Sequence, residues 1–175
     1  MAETEIIMGN VMDYLEWRGD LTFDQSPFND VDNVILSQLA YVNFRDVIPS
    51  VQMNKGITLK AAAQLFFDLH TEEELMQDKS FIKDAPKLLK KAAQTNRFRD
   101  VILSDYVDMV DETLEKQFGA FHIKLSPQCT YVAFRGTDDT LVGWKEDFNM
   151  SFISPVPSQE DAVKYLDDTC SYIRG

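Results

Sequence analysis

The sequence predicts an α/β fold, and three observations carry the prediction. Apolar residues recur at helical spacing through the first 95 residues, the period drops to two after Asn96, and a helical stripe returns from Ser158 onward. A chain of 175 residues with 45% hydrophobic content, including 12 Phe, has enough apolar surface for one ordinary domain with its own core. We place a single domain over residues 1–175, mainly helical over 1–95, with a strand hairpin, a loop and a final helix over 96–175.

The elements follow in chain order. Ile6 to Trp17 is apolar and partly helical, with Gly9 as a local breaker. Val31, Val34, Ile35, Leu39 and Val42 form a three-and-four stripe that starts at Asp30 or Asp32 and stops before Pro49, which predicts a half-buried helix. Leu59, Ala62, Ala63, Phe66 and Phe67 repeat that stripe, and Thr71 with Glu74 forms a capping box for a short helix after it. Asp84 and Pro86 open the next helix through Leu88, Leu89 and Ala92, because a first turn does not use the N–H that proline lacks. Val101, Leu103, Val107 and Met109 then fall on one face of a long or bent strand. Phe121, Ile123 and Leu125 alternate, Ser126-Pro127-Gln128 turns the chain, and Thr130 to Phe134 reads as a strand buried on both sides, which makes a hairpin. Ser158 caps the final helix, with Glu160 and Asp161 in its first turn and Ala162, Tyr165, Leu166, Cys170 and Ile173 on its buried face.

Charge and composition remove several function classes. Seventeen Lys and Arg against 29 Asp and Glu leave a net charge of −12, a field that repels phosphate backbones and anionic headgroups. Nucleic acid is a poor partner, and no apolar run approaches the ~20 residues of a membrane span. Met1 opens onto Ala2-Glu3-Thr4-Glu5 without a signal pattern, so we expect a cytoplasmic protein with no stable membrane insertion. Cys129 and Cys170 read as free thiols, and no spacing suggests a metal or a cofactor. His70 and His122 are isolated and read as structural or solvent-facing. Lys83, Lys87, Lys90 and Lys91 mark the solvated face of a helix, and Glu72 to Glu74 suit a helix N-terminus.

One segment carries chemistry. Tyr131-Val132-Ala133-Phe134 ends at Arg135-Gly136-Thr137, followed by three further polar residues and then Gly143-Trp144 and Glu146-Asp147-Phe148. A strand that stops at Arg-Gly-Thr lets the backbone N–H groups and a hydroxyl face a cleft, since Gly136 removes the side chain that would block close approach. Such a turn suits an oxyanion, and ligand groups in open α/β sheets gather at the carboxyl ends of strands. Taken without any family, the same residues are equally a tight turn with an acidic exit.

Phe134 to Thr137, with Gly143-Trp144 and Asp147 at their spacing, resembles the strand and oxyanion loop of the class 3 lipase-like branch of α/β hydrolases. It is similar above all to a bacterial family of lipase-related proteins that writes this stretch almost as it stands here, and the resemblance extends over most of the chain. It implies a partial α/β-hydrolase-like fold, a helical layer followed by strands of a mixed sheet, and an ester-bond hydrolase whose Ser, Asp and His follow in that order. Carried over, Thr137 contributes its backbone N–H to the oxyanion hole, Gly136 permits the turn, and Arg135 ties the loop to nearby carboxylates. Trp144 lies at the cleft mouth and Asp147 holds the loop. The substrate of the intact parent would be an ester or a lipid-like small molecule.

The chain departs from that family in one respect. None of its seven glycines begins a Gly-x-Ser-x-Gly elbow, and neither His70 nor His122 stands at the family's late histidine. We therefore expect the N-terminal part of a hydrolase, cut before the elbow strand and inactive alone. The alternative is a non-enzymatic binding or regulatory module on the same fold. On the first reading the strand 130–135 has lost a neighbour, and an open apolar edge invites self-association or covering by residues 151–175.

Overall fold

The computed structural model describes residues 9–51, 55–77, 84–111, 116–135 and 157–170. Within them are the helices α1 (Val11–Arg18), α2 (Asp30–Leu39), α3 (Leu59–Leu69), α4 (Glu72–Gln77), α5 (Ala85–Ala92) and α6 (Pro157–Cys170), and the strands β1 (Gly56–Thr58), β2 (Ile102–Asp111), β3 (Lys116–Ser126) and β4 (Cys129–Arg135). The strands form one antiparallel sheet in the order β1-β2-β3-β4. The α/β class holds; among the described residues the sheet is antiparallel and not mixed, and the parallel contact is an isolated bridge between Ser50 and Tyr106.

Local chemistry explains most helix starts. Asn10 and Asn29 accept from backbone N–H groups of α1 and α2, while Asp13 and Asp32 reach back to the cap N–H, so both helices open on a reciprocal box. Thr58 caps α3. Thr71 and Glu74 exchange the expected pair of bonds at the start of α4. Pro86 lies in the first turn of α5, whereas Asp84 makes no cap bond and instead pairs with Lys87 at 2.8 Å.

The sheet carries a layer on each face. Leu36, Leu39, Phe44, Leu59, Phe66, Leu89 and Phe98 pack with Leu103, Phe121 and Ile123 in the main core. Phe118 and Ala120, which alternate with Phe121 along β3, pack instead with Tyr165 and Ala162 of α6 and with Val107 and Val132. A strand presents successive side chains to opposite faces, so β3 serves both layers.

Four expectations are corrected. Leu103 and Val107 do not share a face, because β2 bulges between Ser104 and Val107, with Asp105 at φ 58°, and the extra residue turns Val107 and Met109 toward α6. β4 is not buried on both sides: it is the edge of the described sheet, Ala133 is buried, and Phe134 is exposed. In α2 the buried stripe is Asp32, Ile35, Leu36 and Leu39, while Val31 and Val34 face outward and the helix ends well before Pro49. Ser158 lies inside α6, which starts at Pro157, and is not its cap. Ile6 and Ile173 lie outside the described residues.

One polar centre has no counterpart in the apolar pattern. Arg97, fully buried, grips Asp32 with Nε at 2.6 Å and Nη2 at 2.5 Å. Its remaining N–H groups donate to the carbonyls of Leu21, Thr22, Ser26 and Pro27. The guanidinium lies 4.4 Å over the Phe23 ring. Tyr14 donates to Asp32 and accepts from Asn29, and burial, its largest influence, pushes the Tyr14 hydroxyl up. Arg97 thus ties the loop between α1 and α2 to α2 itself.

Candidate functional site

Arg135 ends β4, and its partner across the sheet is Gly119 of β3, which in turn pairs with Asp108 of β2. The Arg135 side chain lies flat over Gly119 and donates from Nη2 to Asp108 at 2.5 Å. Gly119 makes this possible: a Cβ there would stand 3.2 Å from the Arg135 Cβ and 3.3 Å from its Nε. Arg45, from the segment after α2, reaches the other Asp108 oxygen at 3.4 Å. The Asp108 side chain is 8% exposed and that of Arg135 12%, but Arg45 is 64% exposed and only loosely held. Tyr106 shares this cluster, and burial, followed by the Asp108 charge, pushes its hydroxyl up to about 12 against the opposing pull of Arg135 and Arg45. Arg135 Nε is buried and has no hydrogen-bond partner among the described residues.

The cluster therefore holds two guanidinium groups around one carboxylate at Arg135, the residue that precedes Gly136 and Thr137 in the sequence. Chemically it can fix the strand end and add positive charge beside it, and its one carboxylate, held by both guanidinium groups, serves as the anchor. Gly136, Thr137, Trp144 and Asp147 lie outside the described residues, so of the residues singled out from the sequence the structure places Arg135. Reasoning from the sequence missed Asp108, Gly119 and Arg45. A glycine amid the alternating Phe118, Ala120 and Phe121 was the available signal for close approach over β3.

A second constellation has the outline of a nucleophile, base and acid. His122 Nε2 lies 3.0 Å from the Thr169 hydroxyl, and its Nδ1 lies 3.6 Å from Asp105 Oδ2. Two facts decide against catalysis. The Thr169 hydroxyl donates to the Tyr165 carbonyl at 2.6 Å, so its only proton is committed and His122 Nε2 must be the donor to it. Thr169 and His122 are also sealed, at 2% and 4% exposure. The group instead pins α6 to the sheet, helped by Tyr165 donating to the Asp105 carbonyl and by Ser104 donating to the Asp105 carboxylate.

Desolvation lowers the His122 pKa, and Asp105 opposes it only in part. The folded state then binds fewer protons than the unfolded chain below the ordinary imidazole value of 6.5, so this contribution to stability is present above that pH and lost as pH falls through the folded value. Urea midpoints at pH 7.5 and 5.5 should fall further for the parent protein than for His122→Gln. Equal drops would show that His122 does not titrate in this window.

Residues 92–175 match the Mbeg1-like family model. No curated protein and no solved structure matches the chain. The matched span begins at Ala92 and contains β2, β3, β4 and α6, and with them Arg97, the Arg135–Gly119–Asp108 arrangement without Arg45, and the His122 pin. No helix among the described residues is long and apolar enough to cross a membrane.

Proposed function

We propose that this chain supplies the oxyanion-loop side of a lipase-like ester hydrolase. The observation that carries the reading is the bracing of the strand end. Arg135 is laid across Gly119 and clamped to Asp108, so the residue before Gly136-Thr137 cannot swing freely. An oxyanion donor stabilises developing charge only if it is fixed in advance, and each such donor is worth about 3 kcal/mol in a dry site. A braced Arg135 is what such a loop requires at its root. The adjacent guanidinium groups would favour developing negative charge, and the substrate would be an ester or lipid-like molecule.

The 175 residues contain no Gly-x-Ser-x-Gly turn, and the described hydroxyl–imidazole pair is sealed, so the chain alone should not turn over esters. Hydrolysis of short p-nitrophenyl esters should equal the buffer blank, and a fluorophosphonate should leave the protein unlabelled. Turnover together with labelling would sink this assignment. In a longer polypeptide that continues into a serine elbow, Thr137→Ala should lower turnover less than loss of the serine, because the backbone N–H survives.

A further inference from the structure

A groove of about 430 Å³ runs between α3 and α5 on the helical layer. Lys60, Gln64 and Phe67 of α3 line one wall, Lys90 and Ala93 with Gln94 line the other, and Arg99 closes the end beside Lys60. The backbone N–H of Lys60 donates to the Arg99 carbonyl at 3.0 Å, which sets the two residues side by side. Ala63 and Ala93, both nearly buried, make an apolar floor. The Lys90 ammonium stands 5.8 Å over the Phe67 ring.

The charge arrangement is selective. On α5, Lys87 is paired with Asp84 and Lys91 with Glu16 at 2.9 Å, each drawn to an acid. Lys90 and Lys60 have no acidic partner among the described residues and no Asp or Glu lines the groove, while Arg99 Nε pairs with the neighbouring Asp100 at 3.1 Å. In a chain of net charge −12, two lysines without an acidic partner, beside an Arg99 whose Nε pairs with Asp100, make a local excess of positive charge. The apolar floor and the two amides of Gln64 and Gln94 add contacts that a bare ion would not use, and the volume is at the small end of ligand sites.

We propose that this groove binds a small amphiphilic anion, a single carboxylate or phosphate joined to a short apolar or aromatic body. The anionic group sits between Lys60 and the Arg99 guanidinium, whose Nε already pairs with Asp100, and the body lies on Ala63, Phe67 and Ala93 beneath Lys90. The site is separate from the ester-hydrolase reading and stands or falls without it.

The test is a titration of the full chain with octanoate, phenyl phosphate and inorganic phosphate, followed by amide chemical shifts. Saturable shifts at Lys60, Gln64, Phe67 and Gln94 are expected with octanoate or phenyl phosphate. Inorganic phosphate should bind about tenfold more weakly or less, since it cannot use the floor. The double variant Lys60→Gln, Lys90→Gln should lose about tenfold in affinity, and Gln64→Glu, which leaves both lysines in place, should also weaken binding by adding a like charge. All three positions are exposed, so the variants keep the fold. Absence of saturable shifts, equal binding of inorganic and phenyl phosphate, or unchanged affinity in the double variant would each overturn the proposal.

Discussion

Arg97→Met should destabilise the protein by about 3–5 kcal/mol, the cost of leaving a buried charge without its partner. Asp32 would remain fully buried with no guanidinium, and the carbonyls of Leu21, Thr22, Ser26 and Pro27 would lose their donors together. Methionine fills most of the volume, so the loss is one of polar pairing and not of packing. A melting-temperature drop on the order of 10 °C is expected for a domain of this size. Amide exchange should accelerate first over Leu21 to Asn29, the loop that the guanidinium holds. The double variant Arg97→Met, Asp32→Leu should recover part of the loss, because it removes both charges. A double variant as unstable as the sum of the singles would show that the two residues act independently.

Asp108→Ala is the second large effect. It would leave Arg135, 12% exposed, beside Gly119 with neither Asp108 nor a partner for its Nε. A cost of about 2–3 kcal/mol in urea unfolding is expected, below that for a fully sealed pair because some water reaches the group. Arg45→Ala removes the other, mostly exposed partner and should cost less than about 1 kcal/mol. Gly119→Ala should displace Arg135 from its bed by crowding its Cβ and Nε, and so lower stability while leaving every charge in place. If Asp108→Ala and Arg45→Ala cost the same, Asp108 is not the anchor of the strand end. Retained turnover by Asp108→Ala in an active extended polypeptide would remove the bracing argument for the oxyanion loop.

Much of the backbone plan was legible because it rests on local rules. The Thr71 and Glu74 box, the opening of α5 at Pro86, the stripe of α3 and the turn at Ser126 to Gln128 each need only a few neighbouring residues, and the structure has all four. The α2 stripe failed for a tertiary reason. A helix period predicts which residues share a face, and its apolar stripe places Val31 and Val34 inside, whereas the buried face takes in the charged Asp32 because Arg97 neutralises it from 65 positions away. The split of β2 failed similarly, since a bulge at Asp105 reverses the alternation and a single sequence carries no mark of it. β1, three residues long, was missed because its pairing with β2 supplies what its own short pattern cannot.

For the site the division is sharper. From the sequence alone came the acidic charge, the free thiols, the absence of an elbow motif and the interest of Arg135 at a strand end. Those are counts and contiguous motifs, which are complete before the chain folds. Only the tertiary structure brought Asp108, Gly119 and Arg45 to Arg135, joined His122 to Thr169 and Asp105, and set Lys60 and Arg99 beside Lys90. These groups come from different elements, and their meeting is decided by strand register and helix packing, which minimise buried unpaired charge and exposed apolar area over the whole domain at once.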